Sequence, residues 1–296
     1  MMSEISKETW GLIIGIGGFL FAIVTWIITN NRNKKNGEEV DIRHKEQMTE
    51  IQKNREMLTQ LMKQYQPQDV PEKIKPIFRT VDKSIENPET ANDYFLKGYA
   101  ALMDGNYKEA LDYFQKGIVL NPNDAAAYYC MGFAYGDIDK HEEALQSYRK
   151  AIEINPEYAD AYYNMGIEYG NKYKYEEAIQ FFQKAIKFKP KFADAYYNMG
   201  MAYRLKSNFD EAIKSFQKAI KYKPEFAMAH FNLGNAYFHI GKYNEAIKSF
   251  QKVLELKSLD DALVYNNIGL AYQNLGNQTK ADECFQNSDE LKKNNQ

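Results

Sequence analysis

One interval governs this chain. Gly98, Gly132, Gly166, Gly200 and Gly234 stand 34 residues apart, and Gly269 follows after 35. Ala110, Ala144, Ala178, Ala212, Ala246 and Ala281 keep one fixed distance from those glycines, and Phe114, Tyr148, Phe182, Phe216, Phe250 and Phe285 lie four beyond the alanines. Pro122, Pro156, Pro190 and Pro224 close the first four periods. A unit this small cannot bury an apolar face alone, so self-similarity at this spacing restricts the chain to a stack of like units.

Each unit reads as two helices. In Tyr162 to Gly170 and in Glu176 to Phe188 the apolar residues recur at steps of three and four, with Asn171 and Lys172 between the halves. Gly166 and Ala178 are small because the two helices of a unit cross there at close range. Pro190 lacks a backbone donor and has a fixed φ, which ends the second helix. Leu111, Leu145, Ile179, Ile213 and Ile247, followed seven later by Ile118, Ile152, Ile186, Ile220 and Leu254, are expected to face the next unit. In the sixth unit those places hold Asp282 and Asp289, so the stack should end there with a wetted face.

These residues and this spacing resemble the tetratricopeptide repeat family over about residues 91–296. The shared pattern is a small first-helix glycine, a tyrosine three later, an alanine, an aromatic and a terminal proline. Departures are Ala101 where later units have tyrosine, Gly117 and Val253 at the second alanine place, and Ser258 in place of proline. The resemblance implies an all-α fold, a right-handed superhelical solenoid of six helix-turn-helix repeats with an inner groove lined by the first helices. Three residues before the glycines stand Phe95, Tyr129, Tyr163, Tyr197 and Phe231, and two before them Asn164, Asn198, Asn232 and Asn267. In the family these places face the groove, and such an asparagine row resembles a ladder that holds an extended peptide by its backbone. Tyr129, Tyr163, Asn164, Tyr197, Asn198, Phe231, Asn232, Asn235 and Asn267 are therefore the expected partner-binding residues. A primary amide both donates and accepts, and a tyrosine adds rigid apolar area, so the chemistry suits a peptide. Members that take acidic chaperone tails carry a lysine and an asparagine where this chain has Phe95 and Tyr99, which disfavours that ligand.

Ahead of the repeats, Trp10 to Ile28 runs without a charge, the length of a single transmembrane helix, with both tryptophans near its ends. Arg32, Lys34, Lys35, Arg43 and Lys45 follow it, so the expectation is a single-pass membrane protein with cytoplasmic repeats. Gly11, Gly15, Gly18 and Ala22 stripe one face of that span, where a second helix could pack. The expected organisation is a flank at 1–9, the span at 10–28, a polar linker and amphipathic stalk helix at 29–70, a helix packing on the array at 71–90, and the repeats at 91–296. A heptad seam through the stalk is weak as a coiled coil, because Arg55 falls inside it.

The chemistry narrows in the same way. A net charge of -2 gives no field for a polyanion, so nucleic acid is not an expected partner. His44, His141, His230 and His239 show no metal-ligand spacing, and Cys130 and Cys284 are expected as reduced thiols. No catalytic residues, metal or cofactor are expected. The leading expectation is a non-enzymatic, membrane-anchored scaffold that holds a protein or peptide segment in its groove. The alternative is a structural module that forms homo-oligomers through the span and the array surfaces.

Overall fold

The structure is a computed structural model that describes residues 87–257 and 260–294, together with positions 49, 53, 55–60, 62, 63, 70, 75 and 85. The described helices are α1 (Ala91–Met103) paired with α2 (Tyr107–Leu120), then α3 (Ala125–Asp137) and α4 (His141–Ile154), then α5 (Ala159–Asn171) paired with α6 (Tyr175–Phe188). Next are α7 (Ala193–Leu205) with α8 (Phe209–Tyr222), α9 (Ala227–His239) with α10 (Tyr243–Leu256), and α11 (Asp261–Asn274) with α12 (Gln278–Asn294). The architecture is an all-helical, tetratricopeptide-like repeat solenoid, without a strand among the described residues. It divides into two compact units, Met1–Ala134 and Tyr135–Gln296, the division falling inside α3.

Every first helix ends in the same backbone device. Gly105, Asp139, Tyr173, Ser207, Gly241 and Gly276 take φ between 59° and 76°, in the left-handed region. The N–H of each reaches back three residues, as from Tyr173 to the Gly170 carbonyl at 2.9 Å, and the following N–H reaches back five, as from Lys174 to Tyr169 at 2.9 Å. This pair of bonds is a Schellman motif, which satisfies the last carbonyls of the helix and turns the chain into its partner.

The glycine row sits where the crossing is tightest. A Cβ built on Gly166 would meet the Phe182 ring at 2.5 Å, one on Gly234 the Phe250 ring at 2.5 Å, and one on Gly269 the Phe285 ring at 2.6 Å. The aromatic row thus fills the space that the missing side chains leave. The alanine row is fully buried, Ala178, Ala212, Ala246 and Ala281 at 0% exposure.

Packing between successive repeats of the second unit follows the expected register. Ile213 shares a core with Leu233 and Ala236 of the next repeat, and Ile247 one with Val264 and Ile268. In the last repeat Asp282 and Asp289 are exposed, as their charge requires.

In the first unit, α1 opens with a capping box: Asp93 N donates to Thr90 Oγ1 at 3.1 Å, and Thr90 N donates to Asp93 Oδ2 at 3.1 Å. Residues 55–60 are helical, and Thr59 and Met62 are buried at 2% and 1%; the rest of the expected linker and stalk at 29–70 lies largely outside the described residues. Ile85 is buried as well, at 1%.

The single-pass membrane location is corrected by the structure. Among the described residues no helix is long and apolar enough to cross a membrane. Crossing needs about 20 apolar residues, whereas the longest helix among the described residues, α12, has 17 and carries charges along its length. The second helices α2, α4, α6, α8 and α10 are shorter still and amphipathic, each burying one stripe. Residues 10–28, on which the expectation was placed, lie outside the described residues. The cytoplasmic placement of the repeats and the bilayer contact depended on the same segment and fall with it.

Candidate functional site: the face of the first helices

In the second unit the rows expected to line a groove lie on α5, α7, α9 and α11. Their aromatic members are seated at the base. Tyr163 packs 4.7 Å from Phe192 and 5.9 Å from Phe182 between ring centres, Tyr197 4.8 Å from Phe226, and Phe231 5.7 Å from Phe250. Each ring keeps a half-buried edge.

The asparagines bond to the preceding repeat. Asn198 Nδ2 donates to the Tyr163 hydroxyl at 2.8 Å, and Asn232 Nδ2 to the Tyr197 hydroxyl at 3.2 Å. Asn232 Nδ2 also donates to the Met228 carbonyl at 3.0 Å, so both hydrogens of that amide are spent inside the protein, where the residue is 5% exposed. Asn267 Nδ2 lies 3.5 Å from Asn235 Oδ1, and Asn164 is buried at 7%. Burial pushes the Tyr197 phenol above the ordinary tyrosine range, with Arg204 and the Asn232 bond opposing, so the hydroxyl stays protonated at neutral pH. The row therefore ties neighbouring first helices together and fixes their register. In the first unit Tyr129 is buried at 2%.

Apolar side chains remain open on this face. Leu205 is 50% exposed, Met228 40%, Leu263 47% and Leu270 36%. On α11, Leu263, Asn267 and Leu270 are spaced by four and three and share one helix face. Met228, Asn232 and Asn235 do the same on α9, and Asn198, Met201 and Leu205 on α7. The bonds from Asn232 to Tyr197 and from Asn267 to Asn235 set these faces side by side. Sequence reading missed the four apolar residues. A signal was available: Met228 and Leu263 occupy the repeat place that carries Asp160 and Asp194 in the two preceding units.

The histidines serve packing and pairing. His141 Nδ1 lies 2.8 Å from Glu168 Oε2, His230 Nε2 donates to the Pro224 carbonyl at 2.9 Å, and His239 stacks on Phe209 at 4.8 Å. Among the described residues no three His, Cys, Asp or Glu side chains are placed to hold a metal. Cys130 and Cys284 are free thiols.

Paired helices and a glycine–aromatic crossing that recurs along the chain define a helical-repeat protein. Models described as TPR repeat match residues 137–172, 173–207 and 200–241, and models described as Tetratricopeptide repeat match 227–258 and 262–295. Together they span more than half of the 296 residues, and the chain belongs to the tetratricopeptide repeat family. A model described as Anaphase-promoting complex, cyclosome, subunit 3 matches residues 79–151. The crystal structure of MamA is similar at 31% identity and a TM-score of 0.51, over 54% of this chain and 94% of that one. MamA from Desulfovibrio magneticus RS-1 is similar at 26% identity and a TM-score of 0.53, over 57% and 96%. The anaphase-promoting complex hetero-tetramer Cut9–Hcn1, at 22% identity and a TM-score of 0.57 over 73% and 43%, shares the fold. Among curated proteins none matches the chain.

Proposed function

We infer that the chain is a non-enzymatic scaffold whose first-helix face holds a protein or peptide segment. Proteins of this family generally mediate protein–protein interaction, and the observation that carries the reading here is the exposed set Leu205, Met228, Leu263 and Leu270 beside the bonded asparagine row. Apolar side chains left open beside satisfied polar groups gain by being covered. In this reading Tyr163, Asn164, Tyr197, Asn198, Phe231, Asn232, Asn235 and Asn267 form the floor, and the partner's apolar side chains land on the open leucines and methionine.

Selection of a displayed random peptide library on the full chain tests this. Peptides taken by the parent should lose at least tenfold in affinity for a Leu263→Glu, Leu270→Glu variant, because their apolar anchors would meet two carboxylates. Both positions are partly exposed, and a circular dichroism melt confirms that the variant is folded before its binding is scored. Equal binding by a folded double variant overturns the assignment.

A further inference from the structure

In the first unit the same face is already covered by the chain itself. Arg55 Nη1 meets Asp93 Oδ1 at 3.1 Å, and Lys63 Nζ meets Asp124 Oδ2 at 2.6 Å while lying 5.1 Å from the centre of the Phe95 ring. Phe95 belongs to the aromatic row that faces the groove. It is 1% exposed and its counterpart Tyr129 is 2% exposed, whereas Tyr163, Tyr197 and Phe231 are half-buried. Thr59 and Met62, between the two cations, are buried at 2% and 1%.

The receiving carboxylates are built for the task. Asp93 gives Oδ2 to the Glu89 and Thr90 N–H groups and Oδ1 to Arg55. Asp124 gives Oδ1 to the Ala126 and Ala127 N–H groups at the start of α3 and Oδ2 to Lys63. Each aspartate thus caps a first helix with one oxygen and holds a cation with the other, and the cap orients the second oxygen. Arg55 and Lys63 are eight positions apart in sequence, a reach of about 12 Å along a helix, close to one interaxial spacing of packed helices.

We propose that residues 55–60, 62 and 63 are a tethered ligand that occupies the face of α1 and the start of α3, and that a partner reaches this stretch only by displacing it. The competing partner is a helical segment with two basic residues eight apart and an apolar residue between them. Residues 64–90 join ligand and site in one chain, which gives the tethered copy a high effective concentration. Both ion pairs are half-buried, the Arg55 and Lys63 side chains 19% and 29% exposed against 3% and 7% for the aspartates, so a carboxylate that loses its cation is left buried and unpaired and gains by taking another.

The proposal assigns regulation to the face named under the proposed function, yet its test needs no outside partner and leaves Leu263 and Leu270 untouched, so either reading can fail without the other. The probe is a fluorescein-labelled peptide of residues 50–66, added to the full chain. Arg55→Glu with Lys63→Glu should release the tethered copy, and the variant should bind the probe at least tenfold more tightly than the parent. Arg55→Gln with Lys63→Gln carries the same expectation and serves if charge reversal lowers the melting point. Adding Asp124→Asn, which keeps the helix cap and removes the charge, should weaken the probe again. Equal binding by parent and released variants, or no binding by either released variant while helix content is kept, overturns the proposal.

Discussion

Two glycines of α5, four residues apart, should respond in opposite directions to the same substitution. A Cβ on Gly166 would lie 2.5, 2.7 and 3.0 Å from three atoms of the Phe182 ring, against ordinary carbon contacts of about 3.5–4.0 Å. The ring is 3% exposed and wedged against Tyr163, so it cannot swing into water. Gly166→Ala should therefore carry an overpacking cost of about 1–3 kcal/mol. A Cβ on Gly170 meets only the Ala178 Cβ, at 4.0 Å. Alanine is better than glycine in a helix by about 1 kcal/mol, a gain that both variants share in part, so their difference isolates the overlap. Gly170→Ala should be stabilised by up to about 1 kcal/mol, and Gly166→Ala should fall below it by about 1–3 kcal/mol. That gap corresponds to about 2–12 °C in melting temperature for a domain of this size. Far-UV circular dichroism melts of the full chain read it, and Phe182→Leu in the Gly166→Ala background should recover part of the loss. A Gly166→Ala protein as stable as Gly170→Ala would refute the crossing geometry.

The turn device makes a second forecast: Ser207→Gly should gain up to about 1 kcal/mol, because φ near 59° is costly for a residue with a Cβ, and Gly241→Ala should lose about as much. Urea titration checks the order, and a reversed order would count against a left-handed residue at each turn. Burial pushes the Cys130 thiol far above the ordinary range and the half-buried Cys284 thiol less so. A maleimide at mildly alkaline pH should modify Cys284 first and Cys130 only in denaturant. Equal rates in the folded protein would contradict the burial of Cys130.

The parts legible in sequence were those that residue type alone reports. Gly166, Ala178 and Phe182 recur as types because one volume must be left empty and another filled in every repeat. The left-handed turn place was not legible, since Gly105, Asp139, Tyr173 and Ser207 share a conformation and no chemistry. Asn198 and Asn232 stood out as a row, but their bonds run to Tyr163 and Tyr197, each 35 residues earlier, a pairing set by how repeats stack. The docking of residues 55–60, 62 and 63 was hidden for the same reason: Asp93 and Asp124 lie 38 and 61 residues away from their cations. Arg55 weakened the heptad reading because its partner is not a second copy of its own helix.

Interchangeable modules contain no instruction about number. Any repeat that presents an isoleucine such as Ile247 to its successor invites another repeat, from the same chain or from a neighbouring molecule. Asp282 and Asp289, exposed on the sixth repeat, are where that invitation is refused. A head-to-tail contact at that end would not close on itself and would grow as a filament. An apolar face docking there would have to bury two carboxylates, and that cost opposes such growth.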